Sequence, residues 1–360
     1  MLLPQIIIVK GGPGTGKSVV AINLLGELLK IGLTGAYVSK NMAPRKVYKN
    51  SLVHHNEISI HELFKSSGYF FRDRENQYDF LLVDEAHRLQ EKSGIHYNIG
   101  ENQIKEIIHA SKLSVFFIDE RQMVTLKDIG TIQNISFFAN YFHASICEYE
   151  LKSQFRCQGS DFYLDFIDHF LYNKKVSPHF SFDFQVFDSP NELREFIKMK
   201  NTHNNARLVA GFCWTRNAKM ADDQSYMDIQ IGDFKASWNL KHGEPFATRE
   251  NAIHEVGCIH NVQGLEFDYI GVIIGPDLKY EKGKVMTDYK KRANTEKSLY
   301  GLYVLMKQDK EYYEQVADTI IRNTYRVLLT RGIKGCYVYA CDDHLRKYLK
   351  KIVSNRCIRS

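Results

Sequence analysis

Short runs of Ile, Val, Leu and Phe alternate with amphipathic stretches along most of this chain. The runs Ile6–Lys10, Gly35–Ser39, Phe80–Asp84, Ser114–Asp119, Gln185–Phe187, Leu208–Gly211, Val256–Ile259, Tyr269–Ile274 and Cys336–Ala340 read as strands. Between them, Ser18–Leu29, Gln103–Ala110, Phe162–Leu171, Pro190–Met199, Glu311–Leu329 and Asp342–Val353 carry helical periodicity. Strands that are apolar on both faces and alternate with helices predict an α/β fold, with mostly parallel sheets covered by helices on both faces.

The pattern breaks at Asn173-Lys174-Lys175-Val176-Ser177-Pro178, a polar stretch that sets a domain boundary near 155–182. The expected division is a first domain over 1–158, a linker or helix over 159–182 and a second domain over 183–360. Two stretches lack a regular pattern. Residues 213–255 hold both tryptophans, Trp214 and Trp238, and residues 276–310 are rich in Lys and Tyr. Stretches of this length inside a compact domain are often functional loops.

Composition narrows the setting more than the chemistry. With 360 residues the chain can form two domains, and a formal charge of +6 permits a nucleic-acid partner without arguing for one. The seven cysteines contain no C-x-x-C pair, which argues against structural zinc and fits a reducing cytoplasm. No apolar run reaches the length needed to span a bilayer, and Met1 to Val9 lacks the charged start of a signal peptide. Almost nothing precedes the first strand, where many nucleotide-binding domains hold the base. Either an N-terminal region is missing or the base is weakly read.

The first strand runs into Gly11-Gly12-Pro13-Gly14-Thr15-Gly16-Lys17-Ser18, and Val19 continues into a helix. Strand, glycine loop and helix in that order is the setting in which G-x-x-x-x-G-K-S/T cradles phosphate. Glycines let successive backbone N–H groups turn inward, and the helix N-terminus adds partial positive charge. Lys17 is placed to reach the β- and γ-phosphates and Ser18 to complete an Mg²⁺ shell, so ATP and Mg²⁺ are the expected ligands.

Phe80 to Val83 ends in Asp84-Glu85-Ala86-His87. Asp84 is the expected second Mg²⁺ residue, and Glu85 the base that polarises an attacking water. The next strand ends in Asp119-Glu120-Arg121-Gln122, where the Gln122 amide can sense a γ-phosphate. Arg156, in Leu151-Lys152-Ser153-Gln154-Phe155-Arg156, and Arg331, closing Thr324-Tyr325-Arg326-Val327-Leu328-Leu329-Thr330-Arg331, are candidates to stabilise a transferring phosphoryl group. Such arginines are worth roughly 10³–10⁵ in rate. In His260-Asn261-Val262-Gln263-Gly264-Leu265-Glu266-Phe267-Asp268, Gly264 permits close backbone approach and Glu266 can accept hydrogen bonds from a ribose.

In this order the motifs resemble the set of superfamily-one helicases and translocases, and more specifically the Schlafen-type helicase-like family. Val256 to Gly275, Tyr325 to Asp342 and the Trp214 and Trp238-Asn239 segments carry the narrower match, and the resemblance covers nearly the whole chain. It implies two RecA-like P-loop domains with ATP in the interdomain cleft. It implies Arg331 as arginine finger, Arg156 contributing from the junction and Glu266 contacting ribose. It also implies strand-contacting motifs at Ser39-Lys40-Asn41 and Ser59-Ile60-His61. Stacking platforms at Tyr37, His61 or Trp238 would then suit sequence-blind binding of single-stranded DNA or RNA.

The chain departs from well-studied helicases in leaving no room for large inserted subdomains and in lacking an upstream base-reading glutamine. Both departures weigh against duplex unwinding more than against ATP hydrolysis. The leading expectation is an ATP-driven motor or helicase-like ATPase on single strands. The alternative is a switch-type ATPase that gates a partner such as a nuclease. A small-molecule kinase is disfavoured, because Glu85 beside Asp84 activates the water a kinase must exclude. Oligomeric state is left open.

Overall fold

A computed structural model of the protein describes residues 3–42, 45, 60–94, 98–153, 161–174, 181–240 and 245–357. The chain divides into two compact units, residues 1–123 with 127–155, and residues 124–126 with 156–360.

Among the described residues, the first unit is built on six strands: β1 (Gln5–Gly11), β2 (Gly35–Val38), β3 (Phe64–Lys65), β4 (Tyr78–Val83), β5 (Ser111–Ile118) and β6 (Ser145–Leu151). Their order is β3-β2-β4-β5-β1-β6, and every pairing is parallel. Side chains alternate between the two faces, as the period of a strand requires. Ile6, Ile8, Val38, Leu81, Val83, Phe116 and Ile118 enter one core with Ile104, Ile107 and Ile108 of helix Gln103–Ala110. Val9, Tyr37, Phe80, Leu82, Val115 and Phe117 enter the other with Ala21 and Leu25 of helix Lys17–Lys30. The two-sided apolar character of the runs therefore has the physical reason expected. Each face is covered by a helix.

The second unit holds a five-stranded parallel sheet, β7 (Asp183–Val186), β8 (Ala206–Ala210), β11 (Val256–Gly257), β12 (Phe267–Ile274) and β15 (Gly332–Ala340), in the order β11-β8-β12-β15-β7. Two antiparallel hairpins decorate it: β9 (Ile229–Ile231) with β10 (Phe234–Ala236), and β13 (Leu278–Glu281) with β14 (Lys284–Thr287). The fold class is thus α/β with parallel, helix-covered sheets, the RecA-like arrangement expected. The two stretches without regular pattern are not structureless. Each contains one of the hairpins, and the second turns at Lys282-Gly283, both at positive φ, as a two-residue hairpin turn demands.

A buried polar network fixes helix Lys310–Leu329 to the second sheet. The Tyr325 hydroxyl donates to Asp277 and accepts from the Gly275 N–H at 2.9 Å. Arg292 donates to Asp277, Ser298 and Thr324 at 3.1, 2.7 and 3.1 Å. Arg326 donates to Asp168 at 2.8 Å, and the Tyr163 hydroxyl donates to the Leu329 carbonyl at 2.9 Å. This holds the last turn of the helix, and Arg331 beyond it, in a set position. Among the described residues, no helix is long and apolar enough to cross a membrane.

Candidate active site

In a parallel sheet the strands end on the same edge, and the C-terminal ends of β1, β4 and β5 bring three of the motifs together. β1 is followed by the glycine loop. Gly14 and Gly16 take left-handed conformations, with φ of 77° and 84°, which side-chain-bearing residues seldom adopt. The loop is also tight. A Cβ on Gly11 would lie 2.4 Å from Thr15 Oγ1, whose hydroxyl donates to the Gly12 carbonyl at 3.0 Å. Lys17 is buried, and its Nζ donates to the Gly11 and Gly12 carbonyls at 2.7 Å each. The ammonium is thus held over the loop itself.

Helix Lys17–Lys30 starts without a capping side chain and has no acidic residue in its first turn. By contrast, Asn102, Thr131, Ser189 and Asp309 cap the helices that follow them. A helix start built this way suits an anion, because its first N–H groups are the ones a helix cannot satisfy internally. Val19 stands exposed in that first turn.

Asp84 is the hub of the site. The Ser18 hydroxyl donates to its Oδ2 at 2.6 Å, the Tyr37 hydroxyl to the same oxygen at 2.6 Å, and the Glu85 N–H to Oδ1 at 2.9 Å. Burial and the charge of Glu85 push the Asp84 carboxyl above the usual range, while Ser18, Tyr37 and Lys17 oppose that rise. A hydroxyl and a carboxylate side by side are hard oxygen donors of the kind Mg²⁺ takes, usually one or two from protein and the rest from phosphate and water. Among the described residues, no cluster of three or more His, Cys, Asp and Glu could hold a metal on its own. The Ser18 hydroxyl and Asp84 carboxylate fit Mg²⁺ shared with a phosphate.

Glu85 sits at φ 54° as the chain leaves β4, a conformation that costs a non-glycine residue energy and clusters at functional sites. Its Oε2 lies 3.1 Å from His87 Nε2. The other imidazole nitrogen, Nδ1, accepts the Asp119 N–H at 3.3 Å. Asp119 Oδ2 in turn accepts from the Gln122 amide at 2.9 Å. The Asp84–His87 and Asp119–Gln122 motifs are thus joined through one buried histidine. Sequence reasoning gave neither His87 nor the Tyr37 hydroxyl a role. The only signals were a histidine two residues past the acid and a tyrosine in the neighbouring strand.

In the second unit, two motifs separated in sequence meet. The Phe267 N–H donates to the Arg331 carbonyl at 3.1 Å, and Arg331 Nη1 donates to the Leu265 carbonyl at 3.4 Å. Gly264 is at φ 82°, and Glu266 beside it is exposed. Arg331 itself is 1% exposed, and its Nε donates to the Val327 carbonyl at 2.9 Å.

The expected strand contacts are placed unevenly. Tyr37 is buried and bonded to Asp84, so it is no stacking platform. Trp238 is 3% exposed and packs edge-on against Phe212 and Trp214, which makes it core rather than a platform. Ser39 is fully buried at the end of β2. Lys40 lies 4.0 Å from Asp128, which also pairs with Arg88 at 3.1 Å. Burial, with repulsion from Arg88 and Lys127, lowers the Lys40 pKa to about 7, and Asp128 only partly offsets this. His61 falls in the short helix Ile60–Leu63. Arg156 and Ser59 lie outside the described residues.

Residues 4–342 match the family described as Schlafen group 3, DNA/RNA helicase domain. An uncharacterized protein of Saccharomyces cerevisiae is 26% identical over 388 aligned residues, covering 96% of this chain and 84% of that protein. Among solved structures, Arterivirus nonstructural protein 10, a helicase in complex with DNA, is similar at 13% identity and a TM-score of 0.42. That match covers 96% of this chain and 63% of the viral one. A DNA replication initiation factor is similar at 18% identity and a TM-score of 0.23, over 48% of this chain and 46% of its own.

Proposed function

The chain belongs to the Schlafen group 3 DNA/RNA helicase domain family, and from that premise we propose that it hydrolyses ATP to act on single-stranded DNA or RNA. The observation that carries the reading is the 2.6 Å contact from Ser18 to Asp84. It joins the residue after the phosphate-loop lysine to the carboxylate at the end of β4, the pairing that an Mg²⁺–triphosphate complex requires.

In this reading, Lys17 turns from the loop carbonyls to the β- and γ-phosphates. Ser18 and Asp84 hold Mg²⁺, which when bound neutralises charge on the phosphate oxygens. Glu85 takes the proton from the attacking water, and His87 fixes the direction of its carboxylate. Gln122 reports the γ-phosphate to the rest of its loop. Gly264 and Glu266 serve the ribose end. Arg156 and Arg331 stabilise the charge that builds on the transferring group. This last assignment rests on motif order.

The test is phosphate release with single-stranded DNA, single-stranded RNA, duplex and no nucleic acid. Stimulation by either single strand supports the proposal. Turnover indifferent to all three points instead to an ATPase that gates a protein partner. No turnover under any condition rejects both.

A further inference from the structure

Residues 277–314 carry nine Lys and Arg against seven Asp and Glu, and of the basic residues Arg292 is buried against Asp277, which leaves the lysines to face solvent. The same stretch holds six of the 21 tyrosines. None of this enters the ATP chemistry. Tyr300 is 70% exposed and Tyr303 66% exposed, on either side of Gly301, which starts the short helix Leu302–Leu305 at φ 92°. The Tyr303 ring lies 6.2 Å from the ring of Tyr289, and Lys290 Nζ stands 5.9 Å from that same ring. Lys290 and Lys291 are both exposed.

The segment is well anchored beneath this surface. Buried Arg292 and Ser298 bond to each other at 2.7 Å, and Tyr289 donates to Glu314 of helix Lys310–Leu329 at 3.3 Å. A rigid base with solvent-facing rings and lysines has no folding reason to expose that much aromatic surface.

We propose that the Tyr289–Tyr303 surface is a binding platform for single-stranded nucleic acid, with Tyr300 and Tyr303 stacking on bases and Lys290 and Lys291 facing phosphates. Charge complementarity selects a polyanion, and exposed rings interleaved with lysines select one with flat, unpaired bases over an acidic peptide. A duplex hides its base faces and offers the rings nothing to stack on. The inference rests on the single-strand reading above and adds the residues that would hold the strand.

The experiment is fluorescence anisotropy of a labelled single-stranded oligothymidine titrated with the full chain across a salt series. Unchanged thermal midpoints and ATP-analogue affinity serve as folding checks for each variant. Tyr300→Ala with Tyr303→Ala should weaken binding at least roughly five-fold per ring, and Tyr303→Phe should retain it. Lys290→Gln with Lys291→Gln should flatten the salt dependence by about 1.4 logarithmic units per decade, two phosphates' worth for a single strand. If the wild type binds the strand and every variant matches it, the platform is refuted while the single-strand function stands. If the wild type binds no single strand, platform and function fall together. If poly-glutamate competes as well as unlabelled oligothymidine and the alanine variants bind normally, the surface takes acidic protein and the proposal is overturned.

Discussion

Five residues converge at the end of β4, and their contacts separate roles that a motif leaves merged. Asp84 receives Ser18, Tyr37 and a backbone N–H, whereas Glu85 faces His87. In the proposed roles, Glu85→Gln should leave ATP-analogue affinity near normal and stop turnover, trapping the triphosphate, because it would remove a base and not the hub. Affinity lost along with turnover would make Glu85 part of the metal site. His87→Ala leaves Lys17, Ser18 and Asp84 in place and removes the imidazole 3.1 Å from the Glu85 carboxylate. Its turnover should fall by up to roughly a hundredfold with unchanged analogue binding. Wild-type turnover in that variant would show that His87 positions nothing. Lys40 adds a pH signature. Its pKa of about 7 means that it is charged below that value and neutral above it. If it meets a phosphate of the strand, affinity should drop as pH rises through about 7, and Lys40→Arg, which stays charged, should abolish that drop. A flat pH profile in the wild type would remove Lys40 from the interface.

At the scale of elements, the turns matter more than the strands they follow. Gly130 packs against the turn that carries Glu85 and His87, and a Cβ there would stand 1.8 Å from the Ala86 carbonyl. Because the obstacle is backbone, Gly130→Ala must displace Ala86–Arg88. We expect lower turnover together with a lower thermal midpoint, and an unchanged midpoint would contradict the packing described. The strands themselves were legible, since all nine apolar runs lie on or overlap observed strands. β6 was not. Its sequence, Ser145-Ile146-Cys147-Glu148-Tyr149-Glu150-Leu151, has mostly exposed side chains because it is the edge of the sheet, so no apolar run marks it. β3 escaped because two residues are too short for any period, and the hairpins because strands of three or four residues that mix apolar and polar side chains form no apolar run. The glycine loop between β1 and helix Lys17–Lys30 was legible because strand, glycines and helix follow one another directly in the sequence. Tyr37 and Trp238 were misread as platforms because burial of an aromatic side chain depends on tertiary packing, which a sequence motif does not carry.

Across the whole molecule, the motifs singled out in the sequence fall in two units, and Arg331 lies in the second. It is buried in the second unit against the Val327 and Leu265 carbonyls, so it has a structural stake as well as the proposed catalytic one. The two stakes separate by measurement. A finger lost in Arg331→Ala should lower kcat by roughly 10³ or more with analogue affinity retained. A structural arginine would lower the thermal midpoint and leave the turnover of the folded fraction intact. The central claim is simpler and can be met directly by steady-state phosphate release from the wild type and Lys17→Ala, each with and without a single-stranded oligonucleotide. The account predicts turnover that rises with the strand in the wild type and is absent from Lys17→Ala under both conditions. Equal turnover in the two proteins would contradict it.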